Sequence, residues 1–162
     1  MYKEGGHQPR RTILARAHWL AAALLIAAAG IVRAEEAPIA QMKKVTGQAT
    51  ILRSGERRPA SVGDKLFVKD VIETGPDGAI GLTFVDNTVF SAGPDSQIAL
   101  AEFQFDSANF RGAMLADMRR GTLAVVSGDI PRSSPGAMKV KTPTALLGVR
   151  GTTFAVQVYP DH

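Results

Sequence analysis

The sequence predicts an all-β domain, and three observations carry the prediction. From Lys44 onward apolar and polar residues alternate in short runs, glycine-containing turns separate those runs, and no segment shows a convincing helical stripe. Residues 45–51 (VTGQATI) alternate, and residues 54–59 (SGERRP) turn. Leu66 and Val68 lead to Val71 and Ile72, after which Gly75-Pro76-Asp77-Gly78 turns again. Ile80, Leu82 and Phe84 then point one way, and Asp86-Asn87 supplies a tight turn whose residues tolerate positive φ. Ile98 and Leu100 continue inward, but Phe103 and Phe105 have the opposite parity, so a bend is expected near Ala101-Glu102. Residues 108–118 come closest to a helix, with Phe110, Met114, Leu115 and Met118 at helix-like spacing. Gly112 interrupts them, leaving a single helical turn or a loop.

Two turns repeat. Residues 75–82 (GPDGAIGL) and 93–100 (GPDSQIAL) match at Gly, Pro, Asp, Ile and Leu with an offset of 18, and residues 121–125 echo 151–156 more loosely. Stacked β coils require such a fixed offset, and a β-sandwich with two similar hairpin turns produces it as well.

The segment from Lys139 to Val158 (KVKTPTALLGVRGTTFAVQV) carries an internal conflict. Leu147 and Val149 occupy odd positions, whereas Phe154, Val156 and Val158 occupy even ones. Strand side chains alternate with period two, so one extra residue is needed to return both halves to the same core. A bulge at Arg150-Gly151 is the expected device. Gly151 is then expected at positive φ, and Gly148 in ordinary strand conformation.

These residues resemble the closing motif of the FecR domain family: Thr142-Pro143, then Leu147-Gly148-Val149-Arg150-Gly151-Thr152, then Phe154-x-Val156. Upstream, Val62-Gly63-Asp64-Lys65-Leu66, Asp70-Val71-Ile72-Glu73-Thr74-Gly75, residues 84–88 with Asp86-Asn87, Gly93-Pro94-Asp95-Ser96, and residues 118–123 around Gly121 look like that family's successive blocks, in its order. The resemblance spans roughly Val45 to Val158. It implies a curled, β-helix-like sheet rather than a sandwich, and a module of the bacterial envelope.

The N-terminal fifth of the chain reads as a targeting segment. Residues 1–34 hold Arg10, Arg11, Arg16 and Arg33 around an apolar run from Trp19 to Val32, ending in Val32-Arg33-Ala34. That is the pattern of a signal peptide helix cleaved between Ala34 and Glu35. The run falls short of the roughly 20 apolar residues of a membrane span, so no stable membrane anchor is expected after cleavage. Arg10-Arg11 also fits a twin-arginine signal, but arginines are common in any such region and Sec export is favoured. The organisation expected is a signal over 1–34, a short linker over 35–43 and a β domain over 44–159, exported to the periplasm or secreted.

Charge follows from that division. Taking Lys3, the four arginines and Glu4 from totals of 19 basic and 15 acidic residues leaves 14 of each, so the mature domain is formally neutral. Its partners do not include nucleic acid, which needs clustered Lys or Arg to displace phosphate counterions. Lys43-Lys44 and Arg119-Arg120 read as solvated pairs. Cysteine is absent, so packing and backbone hydrogen bonds must hold the fold.

Catalytic raw material is scarce. His7 and His18 precede the cleavage site and His162 is the final residue, so no histidine is available inside the domain as a base or metal ligand. Asp64, Asp70, Glu73, Asp77, Asp86, Asp95 and Asp106 recur, but most sit beside Gly, Pro or Asn, where Asp caps turns. Arg150, at the parity switch, is expected to bind free carbonyls or a turn carboxylate such as Asp86, with anion recognition as the other reading. Residues 75–78 lack the Lys-Ser/Thr ending of a phosphate loop.

The expected function is non-enzymatic, without cofactor or metal: a periplasmic binding or scaffold module recognising an envelope or signalling partner, by strand addition at an exposed edge. Signalling members of the family are implied to carry a cytoplasmic anti-sigma region. The roughly 18 residues before the apolar run are too few for one. The alternative is a carbohydrate- or peptidoglycan-associated β domain, which the absence of tryptophan beyond Trp19 disfavours. Oligomeric state stays open.

Overall fold

A computed structural model describes residues 36–151 and 153–159. The expected signal, its cleavage site at Ala34 and Glu35, and Thr152 lie outside the described residues. Strand β1 (Ala40–Thr46) starts four residues before the alternation noted at Lys44, so the linker expected over 35–43 gives way to structure at Ala40. There follow β2 (Ala49–Arg53), β3 (Glu56–Pro59), β4 (Lys65–Leu66), β5 (Val71–Thr74), β6 (Ala79–Phe84), β7 (Val89–Ala92), β8 (Gln97–Asp106) and β9 (Arg111–Val126). A short helix α1 (Asp129–Ser133) precedes β10 (Met138–Lys141), β11 (Leu146–Val149) and β12 (Thr153–Val158).

All twelve strands among the described residues join one sheet, ordered β3-β2-β5-β8-β9-β7-β6-β1-β4, with β10 and β12 also paired to β9 and β11 to β10. The sheet curls because β9 serves two wings. Its first half pairs with β8 and, in parallel, with β10; its second half pairs antiparallel with β7 and β12. The bend falls at Gly121, φ +90°, where an added Cβ would lie 2.3 Å from Ser96 Oγ. Only glycine fits that approach.

The core consists of rows of cross-strand neighbours. On one wing Ile51, Ile72, Ile98 and Met118 stand opposite one another across four strands. On the other, Met42, Leu82, Phe90, Val125 and Phe154 do the same. All of these are fully buried except Phe154, which packs against the core from its margin. Burying each large side chain is worth roughly 1.5–3 kcal/mol, which is how the domain holds without disulfides. Each coil of an apolar row therefore rests on the next, as the curled-sheet expectation requires. The pairing that achieves it is antiparallel except between β9 and β10.

The expected bend at Ala101-Glu102 is a β-bulge: Leu100 stands opposite Ala116 and Glu102 opposite Leu115, leaving Ala101 as the extra residue. Phe103 thereby returns to the core and stacks on Phe84 at 5.5 Å. Three expectations need correction. Residues 111–118 are strand, not a helical turn, and the helix lies at α1. Residues 54–59 are not all turn: Ser54 and Gly55, both at positive φ, form a two-residue hairpin loop, and Glu56–Pro59 is β3. Gly151 has positive φ (+57°), but it is not a bulge within one strand. β11 pairs with β10 and β12 with β9, so Gly151 sits at a corner between strands of different wings, and the parity flips because the partner changes.

Candidate functional site

The polar residues singled out from the sequence form four structural clusters. At the junction of the wings, Thr74, Gly75, Gly93, Ser96, Gly121 and Thr122 meet. Ser96 N–H donates to Thr74 Oγ1 at 2.8 Å, Thr74 Oγ1 donates to the Gly93 carbonyl at 2.7 Å, and the Asp95 N–H reaches the Gly75 carbonyl at 3.0 Å. The two repeated turns thus stack on each other. Ser96 Oγ closes the seam by bonding to the Thr122 carbonyl at 3.1 Å. Pro94 is exposed at the tip of its turn.

Asp86 is buried and anchors α1. Its carboxylate accepts Thr88 Oγ1 at 2.8 Å and Thr88 N–H at 3.1 Å, while its carbonyl accepts Asp129 N–H at 2.8 Å. Asn87, at φ +65°, donates to Asp129 at 2.9 Å. The pairing of Arg150 with Asp86 is therefore corrected: Asp86 is bonded to its own turn and to α1, and Arg150 is exposed.

Asp70 is also fully buried. Arg53, which the sequence reading missed, donates to it twice at 2.7 Å, and Phe67 N–H donates at 2.9 Å. The Arg53 guanidinium also lies 4.3 Å from the centre of the Phe67 ring. Hydrogen bonding to Asp70 raises the Arg53 pKa above its ordinary value, against the cost of burial. No spacing signal links residues 17 apart, one at the end of β2 and the other just before β5, so nothing local could have found this pair. Asp64 accepts Ser61 N–H and Arg58, each at 2.8 Å, beside Gly63 at φ +94°. Burial pushes its carboxyl up, but those two donors outweigh burial and hold it below the usual range. Its contribution to stability is therefore complete above about pH 4 and is lost as pH falls through the lowered value.

Asp77 and Asp106 accept N–H groups of Gln48 and Ala108, and Glu73 accepts from Arg57 and Gln97. Thr142 closes the β10–β11 turn by accepting the Ala145 N–H at 3.0 Å, with Pro143 exposed beside it. Asp77, Asp106 and Thr142 serve turns, as their neighbours in sequence imply, whereas Glu73, inside β5, ties β3 and β8 together through Arg57 and Gln97. Among the described residues, no group of three or more His, Cys, Asp or Glu converges as metal ligands would.

What remains open to a partner is strand edge. Among the described residues, four strands have a single neighbour: β3, β4, β11 and β12. β3 is guarded by Glu56, Arg57, Arg58 and Pro59, and β4 is two residues long; both are ordinary ways to block further pairing. β11 (LLGV) and β12 (TFAVQV) have neither charge nor proline. Leu146 is 59% exposed and Leu147 37%, and Phe154, Val156 and Val158 are half-buried between exposed Thr153, Ala155 and Gln157. The edges are adjacent in sequence, and Gly148, Arg150, Gly151 and Phe154 all lie on or between them.

This geometry defines a class: an all-β domain of one curled sheet, most of whose buried polar side chains serve its own turns. The family model described as FecR protein matches residues 70–162, and the chain belongs to that family. The family is regulatory and signalling-related, and associated with the envelope. The match begins at Asp70, so the upstream block around Gly63 and Asp64 lies outside it. No curated protein and no solved structure matches the chain. No helix among the described residues is long and apolar enough to cross a membrane.

Proposed function

We propose that the chain is exported, loses residues 1–34, and acts without catalysis as a periplasmic binding or scaffold module that recognises an envelope protein through β11 and β12. The single observation that carries this reading is the asymmetry of the edges. Two of the four are protected by charge, proline or shortness, and the two that carry the family's closing motif are bare. An unprotected edge in a folded protein is a hazard unless it is used, because its free N–H and C=O groups template pairing with another strand. Every buried side-chain polar atom among the described residues has a partner within the domain.

The test is made in cells. Intact-mass analysis of the periplasmic fraction should return a chain starting at Glu35. Lysine placed at Leu146 and Ala155, an edge guard on outward-facing, exposed side chains, should leave thermal stability within about 0.5 kcal/mol. It should also abolish co-purification of the envelope protein bound by the parent chain. A full-length species retained in the inner membrane contradicts export, and undiminished co-purification contradicts the edge.

A further inference from the structure

Gly148 has no structural reason to be glycine. Its φ is not positive, and a Cβ built on it meets nothing within 4 Å. A glycine inside a strand is unfavourable, and where neither conformation nor packing demands it, it commonly marks the close approach of another chain.

The surroundings of Gly148 say what approaches. Across the outer face, Leu115, Lys139 and Gly148 lie in one register row and Asp117, Lys141 and Leu146 in the next. Leu115, Lys139, Lys141 and Leu146 of these rows line a groove of about 370 Å³, beside which Gly148 lies in register with Lys139. Neither Lys139 nor Lys141 has an ion-pair partner among the described residues. The carboxylates nearby are Glu102, on the far wall beyond Leu115, and Asp117, beside Lys141 and 3.9 Å from Arg119. Among the described residues, β10, β11 and the corner after them carry Lys139, Lys141 and the exposed Arg150, and no carboxylate.

We propose that this face receives an extended acidic segment of a protein partner, added as a strand along β11 with carboxylates on Lys139 and Lys141. The inference rests on the edge-binding reading above. Neighbouring strands lie about 4.8 Å apart, so an ammonium on β10 reaches an added strand only by crossing β11. At Gly148 nothing stands in its path, and the Lys141 stem can lie along Leu146. The inward face sets the other half of the pattern: Leu147 points to the core side yet is 37% exposed, so an apolar residue on the added strand completes its cover. The segment recognised alternates apolar and acidic side chains.

Fluorescence anisotropy with the full chain tests this, using labelled octapeptides of alternating valine with glutamate, glutamine or lysine. The glutamate peptide should bind about fivefold tighter than the glutamine one at low salt, an advantage that two exposed ion pairs can supply and that 0.5 M salt should remove. Lys139→Gln with Lys141→Gln should erase the advantage while leaving the glutamine peptide's affinity unchanged. Gly148→Val should melt no lower than the parent and still weaken the glutamate peptide about fivefold. Equal binding of the three peptides, or a Gly148→Val chain that binds as the parent does, overturns the acidic site and leaves the edge reading standing. Failure of all three peptides to bind the parent removes the β11 edge itself.

Discussion

Gly151 and Gly148, three residues apart in one motif, make opposite demands. Gly151 is at φ +57° at the corner between β11 and β12, a region that costs an L side chain about 1–2 kcal/mol. Gly151→Val should therefore lose more than about 1 kcal/mol in chemical denaturation, while Gly148→Val, in ordinary strand conformation with open space around it, should be neutral or slightly stabilising. Equal stability of the Gly151 variant would remove the corner. The positive φ at Gly151 was legible from parity alone, since Leu147 and Val149 disagree with Phe154 and Val156. Parity could not say whether the strand continues through a bulge or changes partners, because both flip the register. Arg53 was illegible for another reason: its bond to Asp70 depends on the pairing of β2 with β5, which no local pattern announces.

The long strand β9 is the element on which the fold depends. It has neighbours on both sides at residues 114–117 and 123–126, whereas β11 and β12 each have one. Native-state hydrogen exchange should find the slowest amides in β9 and β8 and the fastest strand amides in β11 and β12. Slow exchange throughout β11 in the isolated chain would mean its edge is already covered. β9 was also the element hardest to read. Met114, Ala116 and Met118 face the core with period two, but Ala116 is small and Leu115 is large and faces outward, so the eye finds a helical spacing that the sheet overrides. The helix that does form, α1, had its own signals in Gly128-Asp129 and Pro131 in the first turn. It is held by Asp86, 43 residues earlier than Asp129, a contact visible only once β6 and β7 are placed.

At the scale of the whole molecule, one curled sheet spends most of its buried polar side chains on its own turns and leaves two unguarded edges at the rim. The composition made that outcome legible: no histidine inside the domain, no cysteine, and carboxylates beside turn residues. The repeat at residues 75–82 and 93–100, whose turns do stack, left a curled sheet and a sandwich equally open, and only the family resemblance pointed to the curl. Which edges stay open was not legible, because strand order depends on the crossing of β9 between wings. The most direct measurement is in-cell photocrosslinking with a probe residue placed in turn at Arg57 on β3, Lys65 on β4, Leu147 on β11 and Ala155 on β12. Adducts to one envelope protein from positions 147 and 155, with none from 57 or 65, are the predicted result. Adducts from the guarded edges, or an identical pattern from all four, would contradict it.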